Sequence, residues 1–157
     1  MPKPKLGWLE LKLPPVLQVA IAAGLIVLSP ASTLSFPHWP LWSTLAITGA
    51  ILGFTIAVSG VWQFRHHQTT VNPLLPEQAS QLVTSGIYRY SRNPMYLGML
   101  IALLGWSAWW LQPLGVIISG LFVLYMTRFQ IVPEERALRA QFGSQFSSYT
   151  QQTRRWL

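Results

Sequence analysis

The stretch TSGIYRYSRNPMYLGML, residues 84–100, gathers Tyr88, Arg89, Tyr90, Arg92 and Tyr96 around an Asn93–Pro94 step and runs straight into apolar sequence. Pro94 suits the first position of a helix, where its missing N–H costs nothing, and Asn93 is a natural N-cap. That local reading accounts for Asn93 and Pro94 and leaves the arginines and tyrosines over. A helix N-terminus beside Arg92 attracts carboxylates, whereas tyrosine rings attract onium groups. A ligand carrying both a carboxylate and a sulfonium would suit such a cluster.

A second constellation follows in PEERALRAQFGSQFSSY. Glu134 and Glu135 are two of only four acidic residues in the chain. Carboxylates there could hold ribose hydroxyls or a ligand ammonium. Pro133 is a good first helical residue, and Leu138, Phe142, Phe146 and Tyr149 recur at helical spacing. An amphipathic helix over 133–149, lying at a membrane interface, is predicted. Elsewhere the candidates are poor. His66 and His67 are neighbours and cannot share a helix face, and with no carboxylate or Cys at ligand spacing no metal site is expected. The absence of Cys removes thiolate catalysis and disulfides.

The elements that must position these groups are apolar. Hydrophobic residues make up 51% of the chain and charged residues 10%, against roughly 25% charged in a soluble domain, so much of the surface faces lipid. Four apolar runs, 13–28, 41–61, 94–111 and 113–127, are expected to cross the membrane as helices. Crossing takes about 20 residues, and only the second run reaches that unaided. Snorkelling Lys12 and Arg128, interfacial Trp and local thinning extend the others. The opening MPKPK before an apolar stretch and SPAS also fits a signal peptide, but the later spans make it useful as the first helix of a bundle. Gly49, Gly53 and Gly60 give the second run a face of small residues for close helix approach. The expected fold is an all-α integral membrane protein, one domain over 1–157: about four transmembrane helices, a loop over 62–93 folded back across the helix ends, and the C-terminal helix.

Charge sets the orientation. Lys3, Lys5 and Lys12 precede the first run, Arg65, Arg89 and Arg92 follow the second, and Arg128, Arg136, Arg139, Arg154 and Arg155 follow the fourth. The linkers 29–40 and Gln112–Pro113 carry no Lys or Arg, so four crossings put every basic residue, both termini and the central loop on the cytoplasmic side, as the positive-inside rule requires. A bacterial inner membrane is the expected location. Trp39, Trp42, Trp109 and Trp110 fall at outer ends and Trp8, Trp62 and Trp156 at the inner side, with Trp106 deeper and expected between helices. A net charge of +7 that punctuates apolar segments does not form the basic face a DNA binder needs, so no nucleic acid partner is expected.

The two constellations resemble, in order and spacing, the isoprenylcysteine carboxyl methyltransferase and phospholipid methyltransferase superfamily of integral membrane enzymes. LVTSGIYRYSRNPMYLG is similar to the family's G-x-Y followed by R-H-P-x-Y-x-G, and EERALRAQFGSQFSSY to its E-E, F-G and terminal aromatic. The resemblance covers about Thr69 to the C-terminus. It implies S-adenosylmethionine as methyl donor at the cytoplasmic mouth of the bundle, enclosed by the C-terminal segment. Carried onto this chain, Tyr88, Asn93, Pro94, Met95 and Tyr96 line the cofactor pocket, Leu82 and Val83 give backbone contacts, and Glu134, with Glu135 beside it, is the carboxylate that holds the cofactor. The acceptor implied is a lipophilic small molecule from the bilayer, with a prenylcysteine-like carboxylate or a lipid headgroup, among membrane lipids. Arg92 or Arg128 would position it as the catalytic arginine. Asn93 stands where the family usually has His, and Gln130 where a substrate-binding basic residue is usual. An NAD(P)H-dependent membrane reductase is the first rival, but Met99 follows Gly98 where those enzymes tend to have Glu. A non-enzymatic helical scaffold or transport subunit is the second, and it would place polar groups along its helices. Oligomeric state is left open.

Overall fold

The computed structural model describes residues 10–30, 39–69, 72 and 74–157. Lys3, Lys5, Trp8, His38 and most of the linker expected outside lie beyond the described residues. Among these residues five α-helices carry the fold: α1 (Pro15–Leu28), α2 (Trp39–His66), α3 (Pro94–Trp109), α4 (Leu114–Tyr125) and α5 (Val132–Gln152). No strand occurs among the described residues.

The sequence ends the second apolar run at Val61, yet α2 continues to His66. No Gly or Pro follows Gly60 until Pro73, Trp62 stacks on His66 at 5.4 Å between ring centroids, and Arg65 and His66 occupy the last turn, where positive charge suits the helix C-terminus. The helix stops where Gln68 takes a positive φ of 50°. The connecting loop is therefore shorter than 62–93 and includes two short 3₁₀ turns, Pro76–Gln78 and Gly86–Arg89.

The fourth run and the C-terminal helix, expected as separate elements divided at Pro133, form one helical rod from Leu114 to Gln152 that is kinked only at Gly143. A π-helical turn, Met126–Ile131, joins them. Pro133 cannot donate an N–H to the preceding turn, and the wider π turn, with Val132 N–H bonded to Thr127 O, carries the helix past it instead of ending it.

Among the described residues, two helices are long and apolar enough to cross a membrane, Pro40–His66 and the one that begins at Leu114, while α1 and α3 are apolar but shorter. Their outward faces are apolar: Phe54 is 70% exposed, Leu124 66% and Val116 61%. Such faces suit lipid and not water. The inner core joins α1, α3, α4 and the π turn: Ala22 and Ile26 of α1 meet Tyr96 and Leu103 of α3, Phe122 of α4, and Met126 and Ile131 of the π turn. Trp106, expected between helices, bridges α3 to α1 by donating to Ala23 O at 3.2 Å while its outer edge stays accessible.

The glycine face of α2 meets a second one on α3. A Cβ at Gly53 would stand 2.5 Å from Gly98 O and 2.8 Å from Ala102 N, and one at Gly49 would stand 3.1 Å from Gly105 Cα. Backbone thus packs on backbone, and α2 and α3 form the most extensive helix pair. At its inner end Gly60 receives Met95 and the Pro94 ring, which fixes the start of α3. Gly53→Val is expected to cost about 2 kcal/mol through overpacking, read as a lower unfolding temperature in detergent, whereas Gly120→Ala, where a Cβ meets nothing within 4 Å, leaves it unchanged or slightly higher.

Candidate functional site

The overhanging end of α2, the loop over 72–93 and α5 build a second core. The stripe expected to lie on a membrane interface packs here instead: Phe146 and Tyr149 are buried with Val83 and Tyr88, and Leu138 and Phe142 pack against them with Phe64 and Leu82. Phe64 meets the Tyr88 ring edge-on at 5.2 Å, and Tyr149 Oη donates to Tyr88 O at 2.7 Å. Gln141 Nε2 donates to Ala79 O and ties the loop to α5. Gly143, at φ 51° and ψ −117°, breaks the helical path inside α5; the conformation is one a Cβ disfavours.

This core surrounds a narrow cleft of about 60 Å³. Leu82, Val83, Tyr88, Arg92, Asn93, Met95, Tyr96, Glu134 and Glu135, all singled out in the sequence, line it. Pro94 does not. As the first residue of α3 it is fully buried, and its ring lies towards Gly60. Arg128 is also absent from the cleft: its side chain is 59% exposed and pairs with Glu10 at 2.8 Å. The π turn places it on the side of the rod that faces the N-terminal segment. Phe64, Asn72, Pro76 and Gln81 line the cleft without having been expected. Nothing in their local sequence marks them, since the loop fold that gathers them is set by distant contacts.

The adjacent glutamates have different tasks. Glu135 Oε1 accepts from Arg92 Nη2 at 2.8 Å, and Oε2 from Arg155 Nη2 at 2.7 Å. Arg92 also donates to Thr150 O and Thr153 O, and its backbone N–H to Arg154 O at 3.0 Å. Asn93 makes no side-chain cap to α3; its Nδ2 donates to Arg155 O at 2.9 Å. The two residues proposed to cap a helix and to position a substrate therefore hold the C-terminal residues 153–155 across the start of α3. Burial alone would raise the Glu135 carboxyl, but the hydrogen bonds and charges of Arg155 and Arg92 outweigh it and keep it below the usual carboxylate range.

Glu134 has no such cation among the described residues. Tyr96 Oη donates to its Oε2 at 3.1 Å. Withdrawal from water pushes Glu134 up to about 7, against the lowering effect of the Tyr96 hydrogen bond and with a smaller upward push from Glu135. Tyr88 Oη, buried in the same cleft, has no hydrogen-bond partner among the described residues. Burial, followed by the neighbouring Glu134 charge, raises its pKa, so it remains a donor at neutral pH.

A carboxylate without a cation and an unpaired buried hydroxyl thus face one cleft bordered by aromatic rings. Residues 41–145 of this chain match the phospholipid methyltransferase family. The chain belongs to that family. Over 117 residues it is 30% identical to protein-S-isoprenylcysteine O-methyltransferase B of Arabidopsis thaliana, covering 73% of this chain and 57% of that relative. A probable protein-S-isoprenylcysteine O-methyltransferase of Oryza sativa subsp. indica is 36% identical over 78 residues, 48% of this chain and 39% of its own length. An uncharacterized protein of Haemophilus influenzae is 46% identical over 66 residues, 40% of this chain and the whole of the relative. The chain spans little more than half the length of the Arabidopsis relative and less of the rice one. No solved structure matches it. Family and apolar outer faces together make this a membrane protein of the phospholipid methyltransferase family.

Glu135→Gln is expected to destabilise the fold by about 3 kcal/mol, the low end for a broken buried ion pair because Arg155 is 37% exposed. Since the folded-state pKa of Glu135 is depressed, its contribution is full above the ordinary value of 4.5 and is lost as pH falls through the lowered one. Thermal unfolding of wild type and variant, compared at neutral and acid pH, should converge at low pH.

Proposed function

We propose that this protein transfers a methyl group from S-adenosylmethionine to a lipophilic acceptor drawn from the membrane, either a prenylcysteine-like carboxylate or a lipid headgroup. The observation that carries the reading is the convergence of Glu134, Tyr96 and the unpaired Tyr88 hydroxyl in one cleft. When bound, the donor supplies a sulfonium methyl that passes to the acceptor by in-line displacement, the C–S electron pair remaining on sulfur.

The chain's own work is to bind, align and exclude water, which such a displacement needs more than a strong acid or base. Glu134 offers its carboxylate to the donor's ammonium or ribose hydroxyls, and Tyr96 fixes the orientation of that carboxylate. Tyr88 Oη supplies a hydrogen bond, and the aromatic walls favour a cationic sulfur. Leu82 and Val83 present backbone along one edge. Arg92 is committed to Glu135 and to tail carbonyls, so it shapes the cleft and an acceptor carboxylate would have to compete for it. The narrow cleft must widen for a nucleoside-sized ligand. Residues 153–155 brace the lining residues Arg92, Asn93 and Glu135 from behind through ion pairs and carbonyl contacts, and are the support best placed to give.

Topology follows from the same reading. The 28 residues of α2 extend about 42 Å, beyond a hydrocarbon core of about 30 Å, so its last turns can reach the loop in the headgroup zone. With α1 and α3 as shorter crossings, the cleft lies at the cytoplasmic face of a bacterial inner membrane with both termini on that side. Reporter fusions after Gln78 and after Leu157 should both report cytoplasm, and a periplasmic signal from either breaks this arrangement.

Purified protein should bind S-adenosylhomocysteine, and Glu134→Gln should weaken binding roughly 10- to 100-fold, the value of a hydrogen bond to a charged group. Because Glu134 titrates near 7 in the unliganded fold, affinity should fall by up to about tenfold per pH unit below that point. The sign for stability is opposite: the unliganded fold binds a proton that the unfolded chain has lost, so it should weaken as pH rises from 4.5 to about 7. Calorimetric titration between pH 5.5 and 8 measures the first effect. PH-independent binding, or equal affinity in Glu134→Gln, would remove Glu134 from the site.

A further inference from the structure

Pro133 lies inside the Leu114–Gln152 rod. In regular α geometry the N–H of residue 133 would bond to Phe129 O, and proline has none. The missing donor comes from elsewhere in the chain: Leu11 N–H donates to Phe129 O at 3.0 Å. Leu11 does so at φ +56°, a left-handed conformation that a side-chain-bearing residue holds only when its surroundings enforce it.

The neighbouring residue supplies that enforcement. Glu10 is only 5% exposed, and its two carboxylate oxygens are taken by Arg128 Nη1 at 2.8 Å and Arg136 Nη1 at 3.2 Å. Arg128 lies within the π turn and Arg136 beyond it in α5. One buried carboxylate therefore grips the rod on both sides of its discontinuity, and the next backbone N–H fills the acceptor that Pro133 leaves open. Glu134 sits within the gripped segment.

We propose that Glu10 and Leu11 form a clasp that holds the rod in its π register and so aims Glu134 at Tyr96 and the cleft. Glu10 is then a positioning residue for the methyl donor, an assignment that rests on the reading of the cleft as the donor site. The register matters because a π turn holds the equivalent of one inserted residue. Its loss would rotate one part of the rod against the other by about 100° and carry Glu134 away from Tyr96.

The test uses the full chain in detergent, with Glu10→Ala, Glu10→Gln, Glu10→Asp and, as control, Lys12→Gln. Should Glu10→Ala fail to fold, Glu10→Gln keeps the shape and removes only the charge. S-adenosylhomocysteine affinity is expected to drop about tenfold in Glu10→Ala or Glu10→Gln, with partial recovery in Glu10→Asp and none lost in Lys12→Gln. The pH midpoint of binding should also move down. Glu134 now faces Tyr96, Tyr88 and Glu135, and a re-aimed carboxylate would meet water and titrate nearer its ordinary value. Wild-type affinity and midpoint in both Glu10→Ala and Glu10→Gln overturn the clasp, as does a weakening that only tracks the fraction unfolded, with the midpoint unmoved. If the wild type itself binds no S-adenosylhomocysteine, the donor-site reading fails and hydrogen exchange decides the clasp separately. Amides of 126–132 and Glu134 should exchange faster in Glu10→Ala while those of α2 do not, and unchanged exchange there refutes it.

Discussion

A proline within a helical rod is the constraint from which much of the site follows. Pro133 withholds an N–H from the turn before it, and a helix in water would usually kink or stop there, at a cost of about 3 kcal/mol. Here Met126–Ile131 widens to π geometry and α5 continues directly from the apolar helix. The two glutamates that follow are therefore delivered by a helix anchored in the apolar core, through Phe122, Met126 and Ile131, and not by a mobile tail. Their placement against the start of α3 inherits the rigidity of that core.

The other wall depends on glycine. Contact between α2 and α3 runs backbone to backbone at Gly49, Gly53, Gly98 and Gly105, and the same closeness at Gly60 seats Pro94 and Met95. Since α2 runs on past this seam to His66, Phe64 becomes a wall of the cleft and a support for Tyr88. A seam within the apolar region thus fixes the register of aromatic residues outside it. Interhelical approach in lipid gains little from hydrophobicity and much from close packing, so the small residues are the means of setting that register.

These relations were unequally legible in the sequence. The start of α3 was readable because Pro94 announces it locally, and the glycine face of α2 because its spacing is helical. The cluster of Tyr88, Asn93, Met95, Tyr96 and Glu134 was readable through a motif whose members lie close in the chain or in a familiar order. What failed depended on partners remote in sequence. Asn93 looked like a cap until Arg155 O took its amide. Arg92 looked free until Glu135 and the tail carbonyls engaged it. Pro133 does stand in the first turn of α5, but nothing local showed that a π turn joins that helix to α4 or that Phe129 O takes its donor from Leu11, a residue no local window includes. The stripe through Leu138 and Tyr149 had the correct period but the wrong neighbour: periodicity shows that a face is buried and leaves open what buries it.

Glu134 and Glu135 show how a single peptide step separates structure from chemistry. Successive residues on a helix point about 100° apart, so one carboxylate turns to the C-terminal tail and the other to the cleft. The first receives two guanidinium groups, which lower its pKa and make it part of the fold. The second receives one phenol, loses its water and rises to about 7. A fold selected only for stability would gain from pairing both, because an unpaired, desolvated carboxylate opposes folding whenever it is charged. The arginines that could have paired with Glu134 are engaged elsewhere, Arg92 and Arg155 with Glu135, Arg128 and Arg136 with Glu10. The negative potential left in the cleft is what a cationic ligand would neutralise, and the binding energy of that ligand would then include relief of a strain already present in the unliganded protein.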